Sequence, residues 1–396
     1  MYLQSVPPQL STVDPAPAAP DAPAPPAGTL HVDGAAIVYR LYDIAYGLRL
    51  DRALDLLAGS APARVRPVRG EAQALQIANP PLTVILGHEQ VRVADVGPCN
   101  AEVSARIFDF GVVSLRMRFE APRDATWDAF ARFGTAVDVG TDLTPVFDHH
   151  LRLLTERIAP AAERPAMAAQ TEDYVVFRVD ALRGADGRPA SPQALDDATA
   201  APLLLGESRP LSADARRELL PHRFSYYADD LAILTWDNAL VVEPRAGDAD
   251  VQYILEFANA QLLELRYYDA VLDAELPATN ARIAAARRGV AHLLRRGYAP
   301  LLRELQARVA DSTELVERAE NALKVTDDVY LARVYSAALE IFRARAWRSG
   351  IDRKLTIMRD TYAMLNAEAQ AARAEALEVI VVVLILIEIV LAVLRH

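Results

Sequence analysis

The polar residues whose spacing is most suggestive of chemistry lie on one predicted helix. Its apolar residues recur three and four positions apart, which predicts a seven-residue seam, and Asp269 occupies a seam position where an apolar residue is expected. Arg266 lies one turn before it and Asp273 one turn after it. A buried charge is costly unless it is paired, so one interpretation is a buried ion pair with Arg266 that fixes how the helix docks. The other is a ligand or metal subsite, to which Gln261 and Glu264 would add polar groups.

Two short motifs resemble catalytic sequences but lack the context that chemistry requires. Asp109-Phe110-Gly111 matches the magnesium-binding triplet of protein kinases, yet no glycine-rich loop, strand lysine or catalytic-loop motif accompanies it. Asp148-His149-His150 resembles a phosphoesterase motif, but it falls in a helical pattern and favours a solvated helix face. The phosphate-binding, dinucleotide-binding, zinc-protease and serine-hydrolase motifs do not occur in the sequence. The sequence therefore predicts no catalytic residue, no cofactor and no metal site.

The elements that position these residues change character near the middle of the chain. From about residue 35 to 120, short β-branched and alternating segments predict strands, and Gly111 interrupts one of them as a bulge or tight turn. Helical patterns follow at Asp124–Val137 and Pro145–Ile158, then a strand at Tyr174–Leu182 and a hairpin that turns at Asp237-Asn238. Residues 31–246 are accordingly predicted as an α+β body with a mixed or antiparallel sheet.

The second half of the chain predicts long helices. Residues 247–325 form a helical segment that packs on the body, and residues 326–376 form an antiparallel hairpin or coiled coil. Its second helix carries a heptad seam from Ile351 to Ala376, and Ser349-Gly350 before it is typical of a helix end. We expect the preceding helix to break near Val325–Asp327, with Thr326 or Asp327 as its N-cap.

The apolar run at residues 377–394 predicts a C-terminal transmembrane helix. At 1.5 Å per residue it would measure about 27 Å, close to the 30 Å of a bilayer core. Glu378 would lie at the headgroup boundary, whereas Glu388 would lie near mid-depth, where a charge costs about 3 kcal/mol. Glu388 is therefore expected to be protonated, paired across an oligomer or part of an ion pathway. The expected location is the inner membrane, in a single pass, with the body in the cytoplasm.

Composition excludes several other classes of protein. The net charge of −11 argues against nucleic-acid binding, which requires a basic face. The single cysteine, Cys99, excludes a disulfide framework and fits a reducing compartment. Residues 1–30 carry no arginine or lysine, so no secretory or mitochondrial leader is predicted, and their Pro/Ala content predicts a disordered arm. Only Lys324 and Lys354 are lysines among 42 basic residues, a bias typical of a GC-rich bacterial genome.

Three segments resemble the family of "required for meiotic nuclear division" proteins. They are Ala258–Asp273, the strand pair around Gly111, and the apolar end with its Leu377-Glu378 and Ile387-Glu388 pairs. The chain would be a divergent, bacterial member, because Ser114 and Arg116 stand where the family has bulky residues. The resemblance implies a domain of unknown function with a C-terminal span, found in oligomer-forming membrane proteins, and no established enzymatic activity.

Together these features predict a tail-anchored, non-enzymatic scaffold. Its copies would associate through the Ile351–Ala376 seam and the span, contacting membrane lipid and unknown protein partners on the cytoplasmic side. The alternative is a membrane-bound enzyme or small-ligand receptor with a cleft between the sheet and helix 258–273.

Overall fold

The structure, a computed structural model, describes residues 30–58, 63–64, 79–207, 209–243, 250–288, 303, 306–307, 310 and 328–394. The arm predicted for residues 1–30 lies outside the described residues except for its last position. The helix break predicted at Val325–Asp327 also lies outside them.

A large mixed sheet forms the centre of the fold. Its strands are β1 His31–Asp43, β3 Ala63–Arg64, β4 Leu82–Val93, β5 Gly97–Ile107, β6 Val112–Glu120, β7 Ala125–Thr126, β9 Thr171–Arg183, β10 His222–Phe224, β11 Leu231–Leu234 and β12 Asn238–Val242. They lie in the order β10-β11-β12-β9-β1-β6-β5-β4-β3, with β7 beside the start of β1. All neighbours are antiparallel except β12 and β9, which are parallel. Strands β2 Ala45–Leu48 and β8 Ala162–Pro165 form a separate pair. The mixed sheet predicted from the sequence is present.

Strand β1 lies in the middle of the sheet and is buried on both faces. Because successive side chains of a strand point to opposite faces, Val38 and Tyr42 join one hydrophobic core while Ile37 and Tyr39 join another. Both faces of the sheet therefore need a covering layer.

The first face is covered by short helices. They are α1 Leu50–Leu57, α2 Trp127–Asp138, α3 Thr144–Ile158, α4 Asp197–Leu205 and, beside α4, α5 Ala213–Leu219. Helix α2 begins where the Thr126 hydroxyl accepts a hydrogen bond from the Ala129 backbone N–H. Its apolar side chains Trp127, Phe130 and Phe133 enter the core beneath. The sequence prediction of α2 and α3 is within three residues of the observed bounds.

Among the described residues, the second face is covered by α6 Asp250–Arg288 and α7 Val329–Ile341, and α8 Ala344–Leu394 packs on α6 beside them. Every residue from Asp250 to Leu265 is buried, so this half of α6 is enclosed on all sides. Its apolar residues pack on the sheet and on α7, while Leu265 and Leu272 pack against α8.

The predicted antiparallel arrangement of these helices is wrong. Two contacts give the relative direction of the helices. Phe257 of α6 contacts Tyr335 of α7, and later in both segments Asp269 of α6 contacts Lys354 of α8. Helices α7 and α8 therefore run along α6 in its own direction, joined by a kink at Phe342–Arg343, where Arg343 has φ of +53°. Helix α8 continues through Ser349 and Gly350, so the helix end predicted there is also wrong. The observed N-cap of α7 is Asp328.

The predicted C-terminal transmembrane helix is also wrong. In the part of the chain that the structure describes, no helix is both long enough and apolar enough to cross a bilayer. The tail-anchored, single-pass inner-membrane location inferred from that segment therefore has no support.

Candidate functional site

The buried half of α6 carries an unusual number of polar side chains. Six of them are buried among apolar neighbours: Asp250, Gln252, Glu256, Asn259, Gln261 and Glu264. Burying a polar group without a partner is costly, so the position of each partner decides what this helix does.

The first turns of α6 are held to the sheet by buried polar contacts. Glu256 forms an ion pair with Arg106 of β5, with only 2% and 10% of their side chains exposed. The Arg106 guanidinium also lies 4.6 Å from the centre of the Tyr253 ring. The Gln252 amide donates to the Tyr39 hydroxyl at 2.5 Å, and burial raises the pKa of Tyr39 to about 12. These contacts fix the helix and leave no obvious reactive group.

The predicted charge cluster on α6 is present, with different pairing. Asp269 is bound at 2.6 Å by Lys354 of α8, and the same ammonium group lies 2.6 Å from Asp273. Arg266 instead pairs with Glu172 at the start of β9. Asp269 thus forms a partly buried ion pair with α8, but its partner is Lys354 and not the predicted Arg266. Lys354 is 85 positions from Asp269, so no local sequence pattern indicated this contact.

Next to this cluster lies a buried carboxyl at the end of β1. Burial raises the pKa of Asp43 to about 7, although a hydrogen bond from the Ala45 backbone opposes the shift. Tyr267 and Tyr268 of α6 both lie within electrostatic reach of Asp43 and Glu264. Burial and the Glu264 carboxylate, to which the Tyr268 hydroxyl is hydrogen-bonded, raise the pKa of Tyr268 well above its usual value. Among the described residues, no three His, Cys, Asp or Glu side chains are placed to hold a metal ion.

Gln261 differs from the other polar residues of α6 because it lines a cavity. The cavity has a volume of about 730 Å³ and lies where α6 passes the kink between α7 and α8. Its walls include Leu265 of α6, Ser336, Leu339 and Glu340 of α7, and, around the kink, Arg343, Ala344, Arg345, Ala346, Arg348 and Ser349. Of the residues predicted to line a cleft between the sheet and helix 258–273, Gln261 lines this cavity, which lies among the helices.

The other predicted residues lie apart from this cavity. Gly111 forms the tight turn between β5 and β6 with φ of +98°, and a Cβ there would lie 1.7 Å from the Ala45 carbonyl oxygen. Its role is structural. Glu378 and Glu388 lie on the exposed surface of α8 among apolar side chains.

The fold and these contacts define a mixed-sheet α+β protein with a cavity between α6 and the kink that joins α7 and α8. A family model described as "Uncharacterized protein MJ0711, N-terminal domain" matches residues 33–249, more than half of the 396-residue chain. The chain therefore belongs to this family, and the resemblance to meiotic nuclear division proteins, with the bacterial branch inferred from it, is wrong. The matched region ends just before α6, so the cavity lies outside it.

A curated relative supports the same assignment. The uncharacterized protein MJ0711 of Methanocaldococcus jannaschii is 26% identical over 178 residues, which cover 45% of this chain and 53% of that protein. The chain thus spans about half the length of the curated relative it matches. No solved structure matches the chain.

Proposed function

We propose that the protein is a self-associating scaffold whose copies join through the apolar part of α8. One observation carries this proposal: thirteen large apolar side chains between residues 377 and 391 are each 48–65% exposed. Contiguous apolar surface of this kind marks an interaction site, because leaving it in water is unfavourable. We call residues 377–391 the apolar segment.

A second copy of the same chain suits this segment better than a flat protein surface does. Its side chains are exposed on every side of the helix, so one neighbour along one stripe would leave most of them in water. Several copies arranged around a common axis supply apolar neighbours in more than one direction. Burying the exposed half of each side chain contributes about 1 kcal/mol, or roughly 10–20 kcal/mol gross per chain. That offsets the 4–15 kcal/mol that association costs.

The heptad seam that begins at Ile351 serves a different purpose. Ile351, Leu355 and Met358 are buried against α6 of the same chain, and Leu365 is also buried. The apolar segment starts twelve residues after Leu365, about 18 Å further along the helix. This distance leaves room for the α+β bodies of several copies around a shared helical bundle.

The test is the molar mass of the full chain by light scattering, since one copy weighs 43.3 kDa. Ile380 and Leu384 lie one turn apart in the apolar segment, and replacing both with glutamate should reduce the wild-type mass from a multiple of 43.3 kDa to one copy. The matched control is Thr356→Glu with Met364→Glu, which adds the same charge at exposed positions of α8 outside the segment. It should keep the wild-type mass. A wild-type chain of 43.3 kDa at all concentrations, or an unchanged mass in the Ile380/Leu384 variant, would overturn the proposal.

A further inference from the structure

The side-chain amide of Gln261 lines the cavity at the kink between α7 and α8. Gln261 is 2% exposed, and no hydrogen bond joins its side chain to any other residue that the structure describes. A side-chain amide carries two donors and one acceptor, and leaving them unmade in a buried site is costly. An amide that instead faces an open cavity is available to a ligand.

Tyr335, which precedes the lining residue Ser336 along α7, is buried but is not itself a lining residue of the cavity. Tyr335 of α7 is 6% exposed, and its hydroxyl has no hydrogen-bond partner within the described ranges. Burial raises the pKa of Tyr335, and the Arg348 guanidinium acts in the opposite direction. Arg348 itself lines the cavity.

The wall of the cavity is positively charged. Arg343, Arg345 and Arg348 are among its lining residues, with Glu340 as the one carboxylate among those described, and the Arg343 guanidinium lies 5.9 Å from the centre of the Trp236 ring. Among the described residues, no carboxylate lies within ion-pair distance of any of these three arginines. The cavity therefore has a net charge of about +2 in a chain whose total is −11. Positive charge is therefore concentrated at this cavity, although the protein as a whole is negatively charged.

The backbone at the kink adds donors to these side chains. Helix α8 begins at Ala344, and within the described part of the chain no backbone carbonyl accepts from the N–H groups of Ala344 or Arg345. The N-terminus of a helix attracts anions through such groups and through the helix dipole. Arg343 adopts a left-handed conformation, with φ of +53°, to place this N-terminus at the cavity. For a residue with a side chain, that conformation costs about 1 kcal/mol.

We propose that this cavity binds a small phosphorylated molecule. A phosphate monoester carries nearly two negative charges at neutral pH, which matches the net charge of the wall. Arginine binds phosphate oxygens through two parallel hydrogen bonds, and the free N–H groups of α8 supply further donors. The volume of about 730 Å³ lies within the range of small-molecule sites. Leu265, Leu339 and Ala344 provide an apolar surface for the rest of the molecule, and the Gln261 amide provides a polar anchor.

The test is isothermal titration calorimetry of the full chain with inorganic phosphate and with phenyl phosphate. We expect both probes to bind, and phenyl phosphate to bind more tightly because its ring reaches the apolar wall. Replacing Arg345 or Arg348 with glutamine should weaken phenyl phosphate at least tenfold, since each change removes a charge-assisted hydrogen bond. Gln261→Leu has nearly the same shape and should weaken phenyl phosphate without a loss of stability.

A matched control separates a specific site from general attraction. Arg353 is an exposed arginine of α8 outside the cavity, and Arg353→Gln removes the same charge. Binding should be unchanged in this variant. Equal weakening by Arg353→Gln and Arg345→Gln, or no measurable binding of either probe, would overturn the proposal. Benzoate that binds as tightly as phenyl phosphate would overturn the assignment to phosphate. The molar mass of the protein is measured separately, so this result and that of the scaffold test are distinguishable.

Discussion

Replacing Lys354 with methionine should cost about 3 kcal/mol of the free energy of unfolding. Its ammonium group lies 2.6 Å from both Asp269 and Asp273, and the Lys354 and Asp269 side chains are only 14% and 17% exposed. Removing one partner of a buried pair leaves an uncompensated charge and costs about 3–5 kcal/mol. We expect the lower end of that range because the pair is not fully buried. Asp273, which is 63% exposed, adds little.

A double-mutant cycle also needs the variant in which both charged residues are replaced by apolar ones, as the apolar seam of the sequence predicts. Asp269→Leu together with Lys354→Met replaces the pair with apolar side chains between α6 and α8, and should lie within about 1 kcal/mol of the wild-type chain. The assay is urea unfolding followed by circular dichroism. It is done in the background with glutamates at positions 380 and 384, so that assembly does not contribute to the measured stability.

Two controls make this reasoning refutable. Arg353→Met, at the exposed neighbouring position, should change the free energy of unfolding by no more than about 0.5 kcal/mol. Although burial acts to lower it, the hydrogen bonds to Asp269 and Asp273 raise the pKa of Lys354. The stability from the pair is therefore complete below the unfolded lysine value of about 10.4 and is lost as the pH rises through the folded value. A Lys354→Met cost below 1 kcal/mol, or a double variant as unstable as the sum of the single changes, would refute the docking role of the pair.

Three further substitutions test the fold through the free energy of urea unfolding. Gly111→Ala should cost at least about 3 kcal/mol, because its Cβ would lie 1.7 Å from the Ala45 carbonyl oxygen, whereas Gly187→Ala, with φ of +74° and open space around it, should cost about 1 kcal/mol. Equal costs would contradict the steric argument. The pKa of Asp43 is raised to about 7, so the folded protein binds a proton more tightly than the unfolded chain and stability should fall by up to about 4 kcal/mol between pH 4 and 7. Asp43→Asn should remove that slope, and an unchanged slope would assign it to other groups.

Local patterns predicted the elements whose signals are contained in their own sequence. The turn at Gly111, the helices α2 and α3 and the β11–β12 hairpin all follow from turn chemistry or from the spacing of apolar residues, although the hairpin turns between Thr235 and Asn238, one residue earlier than predicted. Each of these signals spans fewer than twenty residues, and the surrounding fold supports the same local conformation.

Features that depend on contacts between distant residues could not be predicted from local sequence. Ser349-Gly350 is typical of a helix end, but in the structure Gly350 remains helical and faces the Asp269 carboxylate, where a Cβ would lie 3.4 Å from an oxygen atom. The break falls instead at Arg343, a residue type that favours helices. The pairing of Arg106 with Glu256 joins positions 150 residues apart, and nothing in either local sequence indicates it. Tertiary packing decided each of these positions.

A single helix connects the two proposed activities. The N-terminus of α8 borders the cavity, its next turns are bound to α6 by Lys354, and its far end carries the apolar segment. From Arg345 to Leu384 the distance along the helix is about 59 Å. A helix fixed to α6 can transmit a displacement over that length. Ligand binding shifts assembly only if the cavity binds phosphate with different affinity in the single chain and in the oligomer. Linkage makes this measurable, because the dissociation constant of the oligomer must then change with phenyl phosphate concentration, and Arg345→Gln must abolish the change.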